Sequence, residues 1–213
     1  MVLFSFLIPL LPFLLLLFQR NKTILGGTLS FYCIYSIISD LFINKLSLKF
    51  LESEFYAYRL FTVIEFLCFS FIIYKNLNSI RLRKVLYFSS LFFFLSIIID
   101  LLTNSIENFD SLPTGVESIL ILFYCILTLY EQISTGKPLY SFPVLFAFSL
   151  ILFFSGTFFL FILSQNNFEN EEFSTLYDYI VAISKILMTL LMSVGILANR
   201  RTETHINRTF QKI

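Results

Sequence analysis

Lys185 lies in the stretch LYDYIVAISKILMTLLMSVGILANRR, Leu176 to Arg201, which is long and apolar enough to cross a bilayer. Arg59 and Glu65 lie in another such stretch, and Asp40, Asp100, Glu117 and Asp178 in four more positions of the same kind, making five acids and two bases within apolar runs. A charge at the centre of a membrane helix costs about 2.5 to 3.5 kcal/mol even on insertion scales, so such residues pair with one another or line a polar cavity. An excess of carboxyls over bases needs a proton or an external cation for balance. That chemistry suits ion or solute binding, a proton relay, or acid–base work by carboxyls held in unlike environments.

The elements that must hold these residues follow from composition. Apolar residues make up 57% of the 213, mean hydropathy is +0.83 and charged residues are 14%, against about 25% in soluble domains. The expected fold is an all-α membrane protein, a bundle of seven transmembrane helices. Apolar stretches of about 17 to 25 residues fall at Val2–Phe18, Ile24–Asn44, Phe55–Tyr74, Leu82–Thr103, Thr114–Gln132, Ser141–Leu163 and Thr175–Ala198. The first has no basic residue before its apolar core and no small-x-small cleavage site after it, so it reads as a retained helix. Eleven of the fifteen basic residues, among them Arg20, Lys22, Arg81, Arg83, Lys84, Lys137, Arg200 and Arg201, fall on one side of the seven segments, and only Lys45 and Lys49 on the other. The positive-inside rule then puts the N-terminus outside and the C-terminus in the cytoplasm, in a multi-pass arrangement expected for a bacterial inner (cytoplasmic) membrane. Residues 1–198 form one bundle, and 199–213 a short basic cytoplasmic tail, too small for an enzymatic output module. Signalling would need a cytoplasmic protein partner.

Periodicity gathers the polar residues onto faces. Asp178, Ala182, Lys185, Thr189 and Ser193 share one face of the seventh segment. Thr28, Tyr32, Ser36 and Asp40 do so on the second, and Tyr58, Thr62 and Glu65 on the third with Arg59 beside them. Ser96 and Asp100 share a face of the fourth segment, and Glu117 and Tyr124 one of the fifth. Lipid cannot hydrogen-bond these groups, so the faces should turn inward. A rise of about 1.5 Å per residue puts Glu65 and Lys185 each about 14 Å below the outer ends of their segments. Glu65 with Lys185 is therefore the expected ion pair, and Arg59 is expected to be held by Asp40, Asp100 or Asp178. The candidate site, open to the outer side, comprises Arg59, Glu65, Lys185, Asp40, Asp100, Asp178, Tyr58 and Tyr32.

Structural roles compete with this reading. Thr114 followed by Glu117 has the spacing of a capping box, and Thr175 followed by Asp178 has the same spacing. Glu131, at the inner end, reads as an exposed acid without special role. Cys33, Cys68 and Cys125 read as packing residues. One histidine, His205, makes a histidine-based metal centre improbable. A net charge of +1 gives no basic field for nucleic acid.

A lysine on the seventh segment, an acid on the third and an outside N-terminus resemble the topology of the microbial rhodopsins, whose lysine carries retinal and whose acid is its counter-ion. Lys185 and Glu65 would fill those roles. The resemblance covers only the topology and these two residues. The chain has no Trp to wall a retinal pocket, and Asp178 precedes the lysine by seven residues where that family has four. No cofactor is therefore expected. The functions open to the sequence are a small-ligand binding or sensing module acting through a partner, a proton- or cation-coupled transporter, and an intramembrane carboxylate enzyme acting on lipid or isoprenoid.

Overall fold

The computed structural model describes residues 2–18, 23–45, 55–103, 111–136, 138–167 and 171–210, and every regular element among them is an α-helix. In chain order these are α1 (Val2–Leu7), α2 (Leu10–Leu17), α3 (Ile24–Lys45), α4 (Phe55–Asn76), α5 (Ile80–Thr103), α6 (Ser111–Ser134), α7 (Phe142–Asn167) and α8 (Glu171–Phe210). The protein is an all-α helical bundle. Five helices contain stretches long and apolar enough to cross a membrane, and these suggest a membrane-embedded protein: Ile24–Leu41, Ile80–Thr103, Leu112–Ser134, Phe142–Leu160 and Glu172–Asn199. The surface agrees. Leu91, Phe92, Leu95, Ile98 and Leu102 of α5 are all exposed, while its buried face is the narrow stripe of Leu86, Phe93, Ser96 and Asp100. Such an apolar exterior is far larger than the isolated patches of water-soluble monomers.

The first segment is not the single helix expected. It breaks between α1 and α2 because Pro9 and Pro12 lack the N–H groups that would bond the carbonyls of Ser5 and Ile8. The Ile8 carbonyl is taken instead by the Leu11 N–H at 2.9 Å, one residue tighter than an α-helical bond. By contrast Gly26–Gly27 and Ser155–Gly156 interrupt nothing. Thr23 caps α3, its Oγ1 accepting the Gly26 N–H at 3.1 Å, and α7 runs straight through Gly156. At the other end of the chain α8 continues past Asn199 to Phe210, so the basic segment after Ala198 is helical.

The helices form a ring. α7 and α8 pack most extensively; α7 also packs on α6, α6 on α4, α4 on α3, and α2 joins α3 back to α8. α5 stands outside the ring, packed mainly on α6. Cross-contacts fix the register: Arg59 meets Asp100 and Phe66 meets Phe93 along antiparallel α4 and α5. We call the end where α4, α6 and α8 begin the upper end. The lower part of the interior is apolar, built from Phe69, Ile72, Ile73 and Leu77 of α4, Phe146 and Leu150 of α7, and Met188, Met192 and Ile196 of α8. Cys33, Cys68 and Cys125 are free thiols buried in this packing.

Glycine sets the α7–α8 spacing. A Cβ on Gly156 would lie 2.9 Å from Ser184 Oγ, and one on Gly195 would lie 3.3 Å from Leu145 Cβ. Gly156→Ala is expected to destabilise the bundle by about 1 kcal/mol through overpacking. Ser184→Ala in the same chain should restore most of the loss. Thermal melting followed by the helical circular dichroism band checks this, and no recovery in the double variant would show that the steric source lies elsewhere.

At the lower rim Glu131 is buried, not exposed as expected. Its carboxylate accepts the N–H groups of Asn78 and Ser79 at 2.8 and 2.5 Å, just before α5 begins. A carboxylate is favoured there by both the free donors and the positive helix end. Arg83 completes this latch, donating its Nε–H to the Leu77 carbonyl at 2.8 Å and lying over the Tyr74 ring.

Candidate functional site

Two groups of ionisable side chains occupy the middle and upper interior. In the first, Lys185 Nζ lies 2.5 Å from Asp40 Oδ2, tying α8 to α3, and the Tyr32 hydroxyl donates to Glu65 Oε1 at 2.6 Å, tying α3 to α4. Tyr32, Glu65 and Lys185 are buried, and the Asp40 side chain is 19% exposed. The Glu65 carboxyl lies within electrostatic reach of both Lys185 and Asp40, so the four side chains form one cluster. It contains two carboxyls and one ammonium.

The expected direct pair of Glu65 with Lys185 is thus replaced by two bonds, each to α3. The reason is the direction of helical side chains, which lean toward the N-terminus of their own helix. Lys185 sits midway along the apolar part of α8, which starts at the upper end, so its long stem carries the ammonium upward. Asp40 lies five residues before the end of α3, which runs the opposite way, so its carboxyl leans down to meet it. α4 and α8 are not packed side by side, and Tyr32 has taken the Glu65 oxygen that faces α3. The rhodopsin-like arrangement of a seventh-segment lysine against a third-segment acid is accordingly not formed.

The polar face of α8 is otherwise as the periodicity requires: Ala182, Lys185, Thr189 and Ser193 are all buried. The Thr189 and Ser193 hydroxyls bond carbonyls of their own helix at 2.7 and 2.8 Å, so neither demands a partner from another helix. Asp178 differs. It is exposed rather than turned into the interior. The helix begins at Glu171, so Thr175 is not the cap that the sequence spacing implied.

The second group is at the upper end of α4, α5 and α6. Arg59 Nη2 lies 2.9 Å from Asp100 Oδ2, with side-chain exposures of 11% and 1%. Of the three acids expected to hold Arg59, Asp100 does so. Tyr58, next to it, is half-buried, and its carbonyl accepts the Thr62 hydroxyl at 3.1 Å. Glu117 is 1% exposed and six residues into α6. Because α6 begins at Ser111, Thr114 is inside the helix and the capping-box role expected for Glu117 fails. Glu117 is an interior acid, as its place on the polar face of the fifth segment predicts.

No protein-family model, no curated protein and no solved structure matches the chain.

Proposed function

We propose that the chain is an integral protein of a bacterial-type cytoplasmic membrane, crossing it seven times with the N-terminus outside. It takes a small solute or cation from the outer side into the Tyr32–Asp40–Glu65–Lys185 cluster and acts through a cytoplasmic partner. The distribution of basic residues supports the orientation, and the upper end of the bundle is then the outer end. The observation that carries the binding role is vertical segregation. Apart from Glu131 at the lower rim, the buried ionisable pairs lie in the middle and upper interior, above a floor made of Phe69, Ile72, Leu150, Met188 and Met192. A polar upper interior over an apolar floor suits capture and sensing better than passage through the bundle.

Far-UV circular dichroism melting in detergent tests this, with sodium, potassium, ammonium, methylamine and glycine as probes. At least one is expected to raise the melting temperature by several degrees. The shift should vanish in Glu65→Ala and in Lys185→Ala, each compared with its own unliganded melt. No shift with any probe, or an undiminished shift in both variants, contradicts the proposal. The ratio of two carboxyls to one ammonium favours a second reading, proton- or cation-coupled transport; its signature would be flux of the same probe into proteoliposomes.

A further inference from the structure

Arg59 is a buried guanidinium whose N–H donors meet no acceptor among the described residues. Its Nη2 touches Asp100 Oδ2 at 2.9 Å, but the alignment is not that of a hydrogen bond. Among the described residues nothing accepts from Nε, Nη1 or Nη2, and all three atoms are buried. A guanidinium presents five N–H donors in a planar fork, and a buried donor left without an acceptor costs about 1 to 3 kcal/mol, more when charged. The fork matches an oxyanion that can take two parallel N–H bonds.

A bare oxyanion would nevertheless be a poor occupant. Asp100 already balances the guanidinium, and Glu117, equally buried, stands at the same upper level of the adjoining α6. A third negative group without a cation would be repelled, and low polarity strengthens that repulsion. A molecule bringing its own ammonium meets both conditions, with the oxyanion taking the unsatisfied N–H donors of Arg59 and the ammonium toward the two carboxyls. The packing offers an approach. α4 and α5 make little direct contact; they are spaced by the Phe66–Phe93 stack, with ring centroids 3.9 Å apart, and bridged above it by Arg59 and Asp100. The other flank of α5, with Leu95, Ile98 and Leu102, is exposed.

We propose that Arg59, Asp100 and Glu117 form a second site, distinct from the Lys185 cluster, for a zwitterion carrying a monoanionic oxyanion and an ammonium. A phosphatidylethanolamine headgroup and a free amino acid share this chemistry. Native mass spectrometry of the delipidated full chain, loaded with phosphatidylethanolamine, phosphatidylglycerol or L-alanine, distinguishes them. One phosphatidylethanolamine or one L-alanine per chain is expected, and whichever binds names the source. Phosphatidylglycerol, an oxyanion without an ammonium, should bind at least tenfold more weakly than the zwitterion that binds. Arg59→Lys keeps the charge opposite Asp100 but lacks the fork, and should weaken binding at least tenfold. Asp100→Asn removes the balancing anion and should shift the preference toward phosphatidylglycerol, which keeps the test decisive if Arg59→Lys does not fold. Asp178→Asn, which neutralises an exposed acid, should leave binding unchanged. Neither zwitterion bound by the native chain, phosphatidylglycerol bound as tightly, or undiminished binding in Arg59→Lys would overturn the proposal.

Discussion

Lys185→Met is expected to destabilise the folded protein by about 3 to 5 kcal/mol, the cost of stranding a buried charge by removing its partner. The stranded group is Asp40, whose contact with Lys185 joins α3 to α8 across helices that do not pack extensively on each other. Asp40 retains 19% exposure, which places the loss nearer the lower figure. Glu65 also loses the nearest positive field. Methionine conserves the stem and its packing, so the effect isolates the charge. Equilibrium unfolding in mixed micelles of increasing dodecyl sulfate, followed by far-UV circular dichroism, measures it. A loss below about 1 kcal/mol, the range of exposed pairs, would mean that Lys185 reaches water without Asp40.

Arg59→Met should cost as much or more, about 3 to 5 kcal/mol, because the carboxylate it leaves behind is more deeply enclosed: the Asp100 side chain is 1% exposed. The reciprocal change should be milder. Asp100→Asn leaves a guanidinium on a long stem four residues from the start of α4, close enough to the upper interface to snorkel. The asymmetry is the useful quantity. Equal losses for the two variants, read from the same micelle titration, would show that Arg59 is as confined as its partner and has no outward path.

The residue types that create these pairs made the site partly legible in advance. Arg59, Glu65, Lys185, Asp40 and Asp100 are conspicuous because charge inside an apolar run is expensive, and helical periodicity put Ala182, Lys185, Thr189 and Ser193 on one buried face. Which acid meets which base was not legible. Depth counted along the chain locates a Cα, whereas the ammonium of a lysine lies most of a helical turn away, in a direction set by the course of its helix. The ring order that separates α4 from α8 is likewise a property of packing that one sequence does not encode locally. Glu131 was misplaced, and Glu117 carried two competing readings, for a related reason. Each has a plausible role by its distance from a helix end, but the ends themselves moved: α6 starts at Ser111, and the chain turns at Asn78–Ser79 directly beneath Glu131. The break at Pro9 did have a signal, since two prolines three residues apart remove two helical donors within one turn, and apolarity alone masked it.

Whether ionised groups meet inside this bundle is tested most directly by a double-mutant cycle on Asp40 and Lys185. Asp40→Asn and Lys185→Met should each destabilise the protein in the micelle titration. The chain carrying both, with that pair removed whole and the Glu65 carboxyl left in the cluster, should lose clearly less than the sum of the two single losses, since removing a whole buried pair is often neutral. Losses that simply add, to within about 0.5 kcal/mol, would mean that the two side chains do not interact and that the central cluster does not exist.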